Sequence, residues 1–162
     1  MKKIIINENL KSEDISYKLN CSRAILVDND NVLVERHLDG SILLPGIIYV
    51  NSDLENLLKH LNFKLGVDYS SDDLIEKILV EHFQSGIQFD DTLISREVIT
   101  KYFLGKFKGI DYTKIKDYDY GLLKLIDIDD VIEITSKKFK NGIVDSNNKE
   151  TNKVLKMLKK DK

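Results

Sequence analysis

A leucine stripe within residues 53–65 constrains the fold more than any other feature of the sequence. Its members recur at intervals of three and four residues, which places them on one face of an α-helix: Leu54, Leu57, Leu58, Leu61 and Leu65. Ser52 and Glu55, three residues apart, fit a capping box at the start of this helix. Gly66 stands where a C-terminal glycine cap belongs. The pattern therefore predicts an amphipathic helix over residues 53–65.

The chain around this helix is rich in short β-forming runs. Residues 23–27 and 32–36 are apolar and enclose an Asx-rich connection, which predicts a β-hairpin. A third run, Ile42-Leu43-Leu44, is stopped by Pro45-Gly46, which contains the only proline of the chain. Helices interspersed among strands indicate a mixed α/β (α+β) domain. The remaining expected elements are strands at 4–6, 93–107 and 122–126, helices at 129–134 and 149–160, and loops at 84–95 and 108–121.

Composition narrows the class of protein. The 162 residues predict one domain over 1–162, with an N-terminal segment at 1–20 and a C-terminal helix at 149–160 packing on it. The 25 basic and 27 acidic residues give a net charge of −2, which argues against a dedicated nucleic-acid binder. The apolar runs are too short to span a bilayer and the N-terminus lacks a signal-peptide core, so a cytoplasmic protein without a membrane partner is expected. The single Cys21 excludes an internal disulfide and a cysteine-based zinc site.

The order of these features resembles the Nudix hydrolase (MutT-like) superfamily. The resemblance is carried by residues 23–27 and 32–36, by Leu44-Pro45-Gly46, and by the helix that ends at Leu65-Gly66-Val67. It implies a Nudix-like α/β/α sandwich with a mixed β-sheet. It also implies a helical box of glutamates that bind Mg²⁺ through oxygen ligands and help water attack a pyrophosphate.

That box is degenerate in this chain. Anchored on Gly66, the pattern's first glutamate, its arginine, the next glutamate and the final pair of glutamates fall in turn on Asn51, Lys59, His60, Phe63 and Lys64. Every box carboxylate is therefore missing, and basic side chains take two of their four places. Since charge opposes a metal ion there, no cofactor is expected, and Mg²⁺ is expected only if the protein is a hydrolase that uses other acids.

The substituted face provides most of the candidate ligand-binding residues. His60 and Lys64 are four residues apart and share a helix face, which is either solvated or binds an anion. Phe63 lies opposite the leucine stripe, where it is packed under the C-terminal helix or the N-terminal segment, forms a homodimer contact, or floors a ligand pocket. Arg23 and Arg36 lie at strand ends near the expected cleft, and surface ion pairing is the simpler interpretation of each.

Acids elsewhere in the chain are candidates to replace the box. Glu97 is the candidate catalytic acid, and Glu55, Asp90 and Asp91 are candidate metal ligands, because some Nudix enzymes recruit an acid from a later loop. Against this, one or two separate carboxylates do not easily replace a helical cluster. Glu55 is also explained by its capping position.

Three functions stay open from the sequence, and whether the chain is an enzyme is undecided. The first is a catalytically impaired Nudix-fold pseudoenzyme that binds a nucleotide or another phosphorylated metabolite. The second is an active pyrophosphohydrolase of a nucleoside diphosphate derivative that uses non-box acids. The third is a non-catalytic homodimer or interaction module. The expected partner is thus a phosphorylated small molecule and not a nucleic acid.

Overall fold

A computed structural model describes residues 1–7, 10–49, 53–115, 122–139 and 144–161. Within them, the strands are β1 (Lys2–Asn7), β2 (Ile15–Asp28), β3 (Asn31–Arg36), β4 (Ile42–Leu43), β5 (Gly46–Tyr49), β6 (Leu74–Phe89), β7 (Thr92–Lys106) and β8 (Leu123–Asp127). The helices are α1 (Leu54–Leu65), α2 (Ile128–Thr135) and α3 (Ser146–Lys160). Short 3₁₀ helices at Ser12–Asp14 and Ser71–Asp73 precede β2 and β6.

All these strands belong to one mixed sheet with the order β1-β6-β7-β2-β3-β4, in which β5 pairs with β2 and β8 with β3. Strand β1 runs parallel to β6 and β2 runs parallel to β7, whereas the other pairs are antiparallel. The long β2 pairs with β7 from Ile15 to Val27, while its other edge takes β5 near Cys21 and β3 near Val27. A mixed sheet flanked by helices confirms the expected fold class.

One hydrophobic core lies on each face of the sheet. On the first, which we call the α1 face, the leucine stripe packs against Ala24 and Leu26 of β2. On the second, the α3 face, Val154 and Leu155 of α3 pack against Ile25 of the same strand. Successive residues of β2 therefore point to opposite faces, as strand geometry requires.

The predicted helix around the leucine stripe is confirmed as α1. Its N-cap is Asp53, whose side chain accepts a hydrogen bond of 2.9 Å from the backbone N–H of Asn56. The expected capping residue Ser52 lies outside the described residues. Gly66 ends the helix with φ of 69°, a left-handed conformation that glycine adopts without strain.

The expected loop at 84–95 is wrong, because β6 continues to Phe89 and β7 starts at Thr92. The pairing of β6 with β7 shifts between Gln84 and Ile87, where Gly86 has φ of 68°. A bulge of this kind lets polar and glycine residues continue a strand that looks like a loop in sequence. Residues 108–115 of the other expected loop form no helix or strand, and residues 116–121 lie outside the described residues.

Helix α3 crosses the sheet from β4 to β1. Near its start, the side chain of Asn148 accepts from the backbone N–H of Ile42 at 2.7 Å. Beyond its end, Asp161 pairs with Lys2 at the start of β1. None of the helices in the described ranges is both long and apolar enough to cross a membrane.

Candidate functional site

A cleft runs along the side of α1 that faces away from the leucine stripe. Its volume is about 440 Å³, and one residue of β5 and four of α1 line it: Ile47, Asn56, Lys59, His60 and Phe63. The four helical positions are three or four residues apart, so they form one continuous face. Gly46 brings β5 against β2, because a Cβ there would lie 2.3 Å from the carbonyl oxygen of Ser22. The cleft is therefore lined by the predicted helix and by Ile47, the residue that follows the Leu-Pro-Gly turn.

The cleft combines positive charge with an exposed aromatic ring. Phe63 is 72% exposed, so the expectation that it packs under the C-terminal helix or the N-terminal segment is wrong. The ammonium of Lys59 lies 3.4 Å from a carboxylate oxygen of Glu55, and both side chains are well exposed. Surface pairs of this kind contribute little, so the charge of Lys59 is accessible to an anion in the cleft. His60 is half-buried beside it.

Lys64 belongs to the same helix but points elsewhere. Its Nζ lies 2.9 Å from Oε1 of Glu35 on β3, and the two side chains are only 16% and 9% exposed. Nε2 of His37 lies 3.6 Å from the other carboxylate oxygen. The expectation of a solvated face is therefore wrong at Lys64, and we call this contact with Glu35 the α1-face ion pair.

Glu35 was not predicted as a site residue. Leu33 packs in the α1-face core, so alternation along β3 places Glu35 on the same face two residues later. The strand pattern in the sequence therefore indicated which face of the sheet Glu35 lies on. Its partner, however, lies 29 residues further along the chain, and only the fold shows that the two side chains meet.

The described side chains at the box positions do not fit a divalent cation. Mg²⁺ requires oxygen ligands in a nearly octahedral arrangement, whereas these positions present ammonium groups, an imidazole and a phenyl ring. Two unit charges 4 Å apart interact with about 4 kcal/mol near a protein surface, and a divalent ion doubles that repulsion. Within the described ranges, no three His, Cys, Asp or Glu side chains lie close enough together to hold a metal ion.

The two candidate arginines lie away from the cleft. Arg23 is buried, and its Nη1 donates a 2.8 Å hydrogen bond to the carbonyl oxygen of Leu44. Alternation along β2 places this side chain on the α3 face, where it holds the Leu-Pro-Gly turn in place. Arg36 is exposed at the end of β3, where its backbone N–H donates to the carbonyl oxygen of Leu122 at 2.7 Å.

The substitute acids are dispersed over several elements. Glu97 is buried on β7, and Lys18 pairs with it at 3.4 Å. Asp90 and Asp91 form the turn between β6 and β7, and both are exposed. Glu55 is in the first turn of α1 beside Lys59. The structure therefore does not gather these candidates into one cluster.

A second buried polar group of residues lies on the α3 face, and we call it the α3-face cluster. The hydroxyl of Tyr102 donates to Oε2 of Glu150, and Nδ1 of the fully buried His82 lies 2.8 Å from Oε1. Burial and the Glu150 carboxylate hold the pKa of Tyr102 well above its usual range. Burial also raises the pKa of the Cys21 thiol, which matches the expected small buried residue.

Comparison with solved structures identifies the fold. The MutT protein from Bacillus halodurans has a TM-score of 0.50 and 20% identity, with 85% of this chain and 82% of that chain covered. The NUDIX domain of Shewanella oneidensis NrtR, solved in complex with ADP-ribose, has a TM-score of 0.51 and 15% identity, with 93% and 94% covered. No protein-family model and no curated protein matches the sequence.

The chain therefore has the fold of the Nudix hydrolases, which confirms the expected resemblance. At these identities the likeness extends to the fold alone. The chemistry of the site has to be argued from this chain's own residues.

Proposed function

We propose that this chain is a Nudix-fold protein that binds a nucleotide or another phosphorylated metabolite without the metal-dependent hydrolysis of its fold family. The observation that carries the proposal is the composition of the cleft on α1. Two basic side chains and an exposed phenyl ring lie on one helix face, beside a cavity of about 440 Å³. That volume is in the range of small-ligand sites.

Each part of a nucleotide has a suitable partner in this cleft. The ammonium of Lys59 and the imidazole of His60 suit phosphate oxygens, because charge-assisted hydrogen bonds are the stronger ones. The ring of Phe63 offers a face on which a base can stack. The side-chain amide of Asn56 can donate and accept toward a sugar or a base edge.

The missing carboxylates support binding without hydrolysis. Lys64 turns toward Glu35, and the described box positions carry no acid that would hold a metal ion. A phosphate in the cleft would therefore be contacted by side-chain cations directly. The complex of a similar fold with ADP-ribose makes a diphosphate-linked nucleotide the first probe to try.

Calorimetric titration with ADP-ribose, ADP, ATP and inorganic pyrophosphate at millimolar concentrations tests binding. We expect Lys59→Ala to weaken it about 10- to 100-fold, since a hydrogen bond to a charged group contributes about 1.5–3 kcal/mol. Lys153→Ala is the matched control, because Lys153 is an exposed lysine on α3. Equal affinities of the two variants, or no binding by any probe, would contradict the proposal.

The hydrolase alternative is tested on the same samples. Glu97 is the candidate acid for it, and alternation from Phe103 puts Glu97 on the α1 face. We expect no Mg²⁺-dependent release of phosphate or nucleoside monophosphate from the probes. Turnover that requires Mg²⁺ and disappears in Glu97→Gln would contradict the proposal that the protein does not hydrolyse its ligand.

The homodimer alternative rests on the exposure of Phe63. Light scattering of the wild type and of Phe63→Asp measures it directly. We expect a monomer in both cases, together with weaker nucleotide binding in the variant. A wild-type dimer that Phe63→Asp converts to a monomer would favour the interaction module.

A further inference from the structure

One member of the α1-face ion pair, Lys64, falls on a glutamate position of the box pattern. Lys64 is two residues before Gly66, and Gly66 is the left-handed C-cap of α1. Gly66, on which the box pattern is aligned, is therefore also the observed end of the helix. Position 64 is the second of the paired glutamates in that alignment, so a cationic side chain replaces an anionic one there.

Glu35 supplies the opposite replacement. Its carboxylate is almost buried, and its oxygens face the Lys64 ammonium at 2.9 Å and the His37 imidazole at 3.6 Å. A carboxylate with this little exposure needs a cation or several donors as partners. In this chain the cation belongs to the protein itself.

We infer that the ammonium of Lys64 has taken the place of the divalent cation, so that Glu35 and position 64 form a latent metal site closed by a lysine. The charge of Glu35 is then neutralised by the protein itself at any Mg²⁺ concentration. A cation from solution is opposed by the ammonium, and in the part of the chain that the structure describes no cluster of three metal-ligating side chains includes Glu35. This replacement of the cation by Lys64 does not depend on whether the cleft on α1 binds a ligand.

Replacing the lysine by an acid tests the inference with MnCl₂ or MgCl₂ as the probe. We expect Lys64→Glu to be less stable than the wild type in EDTA, because it brings two acids together in a nearly buried place. Metal should then raise its melting temperature progressively with the logarithm of its concentration, by about 3–6 °C when the metal concentration is about ten times Kd. Binding of Mn²⁺ followed by electron paramagnetic resonance provides a second, direct measurement.

Three controls separate this effect from non-specific stabilisation. The wild type and Lys64→Gln should show neither this rise in melting temperature nor binding of Mn²⁺, and Lys64→Glu combined with Glu35→Gln should lose both. If Lys64→Glu does not fold in EDTA, we expect it to fold in millimolar MnCl₂. The inference is overturned if Lys64→Glu does not respond to Mn²⁺, whether folded or unfolded. It is also overturned if the wild type binds Mn²⁺ in a way that Glu35→Gln abolishes.

Discussion

Glu35 on β3 and Glu150 on α3 are both buried carboxylates between the sheet and a helix, one on each face of the sheet. Glu35 faces Lys64 and His37, whereas Glu150 accepts from Tyr102 and faces His82. Lys64, the partner of Glu35, directly follows Phe63 in the sequence, and Phe63 lines the open cleft on α1. The surroundings of Glu150 are closed, since His82 and Tyr102 are almost completely buried.

The difference between the faces lies in what surrounds the carboxylate. On the α3 face, the Asn148 and Thr151 side chains bond to the backbone of Ile42 at 2.7 and 2.8 Å, so the helix is fastened by polar contacts on both sides of Glu150. On the α1 face, the exposed side of the helix carries charges and a ring. We infer that the α3-face cluster stabilises the fold, whereas the proposed ligand cleft lies on the exposed side of α1.

The largest effect is expected from removing the carboxylate of the α3-face cluster. Glu150→Ala leaves the Tyr102 hydroxyl and His82 without their acceptor, which should lower the free energy of unfolding by about 3–5 kcal/mol. Urea unfolding measures the change. The control is Glu133→Ala, which removes an exposed acid of α2 and should cost less than about 0.5 kcal/mol. Equal effects of the two substitutions on the free energy of unfolding would contradict the claim that Glu150 stabilises the fold.

Alkaline pH gives the next effect. The pKa of Tyr102 is held well above its usual range in the folded protein, whereas the pKa of a tyrosine in an unfolded chain is about 10. The stability linked to this proton is present in full below about pH 10 and is lost above it, by about 1.4 kcal/mol per pH unit, until the folded pKa is passed. Tyr102→Phe should flatten this decline. The exposed Tyr112 provides the control, and Tyr112→Phe should leave the slope unchanged.

A smaller effect is expected from the α1-face ion pair. A double-mutant cycle of Glu35→Gln and Lys64→Gln should give a coupling energy of about 1–2 kcal/mol, because both side chains are nearly buried. The matched cycle uses Glu55 and Lys59, an exposed pair on the same helix, and should give about 0.3–0.5 kcal/mol. Similar values for the two pairs would mean that Lys64 is as solvated as Lys59.

The smallest effect sharpens the role of Lys59. Glu55→Gln removes the acid beside its ammonium, so an anionic ligand in the cleft should bind up to about 5-fold more tightly, in line with the 0.2–1 kcal/mol of exposed pairs. Titration with ADP-ribose at low salt measures this gain. A loss of affinity would show that Glu55 itself contacts the ligand.

Much of the fold could be predicted because it depends on local patterns. The leucine stripe predicted α1, and the apolar runs around residues 28–31 predicted the hairpin of β2 and β3, since periodicity and turn residues act over short distances. The continuation of β6 to Phe89 was missed, whereas the strand expected at 93–107 agrees with β7 within one residue at each end. Hydrogen bonds between β6 and β7, which a local pattern does not show, extend these strands to the turn. The polar and glycine residues at the bulge near Gly86 resemble a loop in sequence.

The site could be predicted only in part for a related reason. His60 and Phe63 lie on the cleft because the helical wheel fixes their direction. Lys64 shares a helix face with His60 in sequence, but a carboxylate on β3 draws its ammonium toward the sheet. Arg23 was expected near the cleft, whereas strand alternation turns it to the other face. The alternation at Arg23 is a local pattern, but the contact of Lys64 with Glu35 joins distant elements and leaves no local pattern.

Titration of the wild type with ADP-ribose in excess EDTA and again in millimolar MgCl₂ tests the central claim most directly. The account predicts the same affinity in both buffers, unaltered ligand recovered at the end, and the same loss in Lys59→Ala under both conditions. Binding that requires Mg²⁺, or cleavage of the ligand once Mg²⁺ is added, would contradict it.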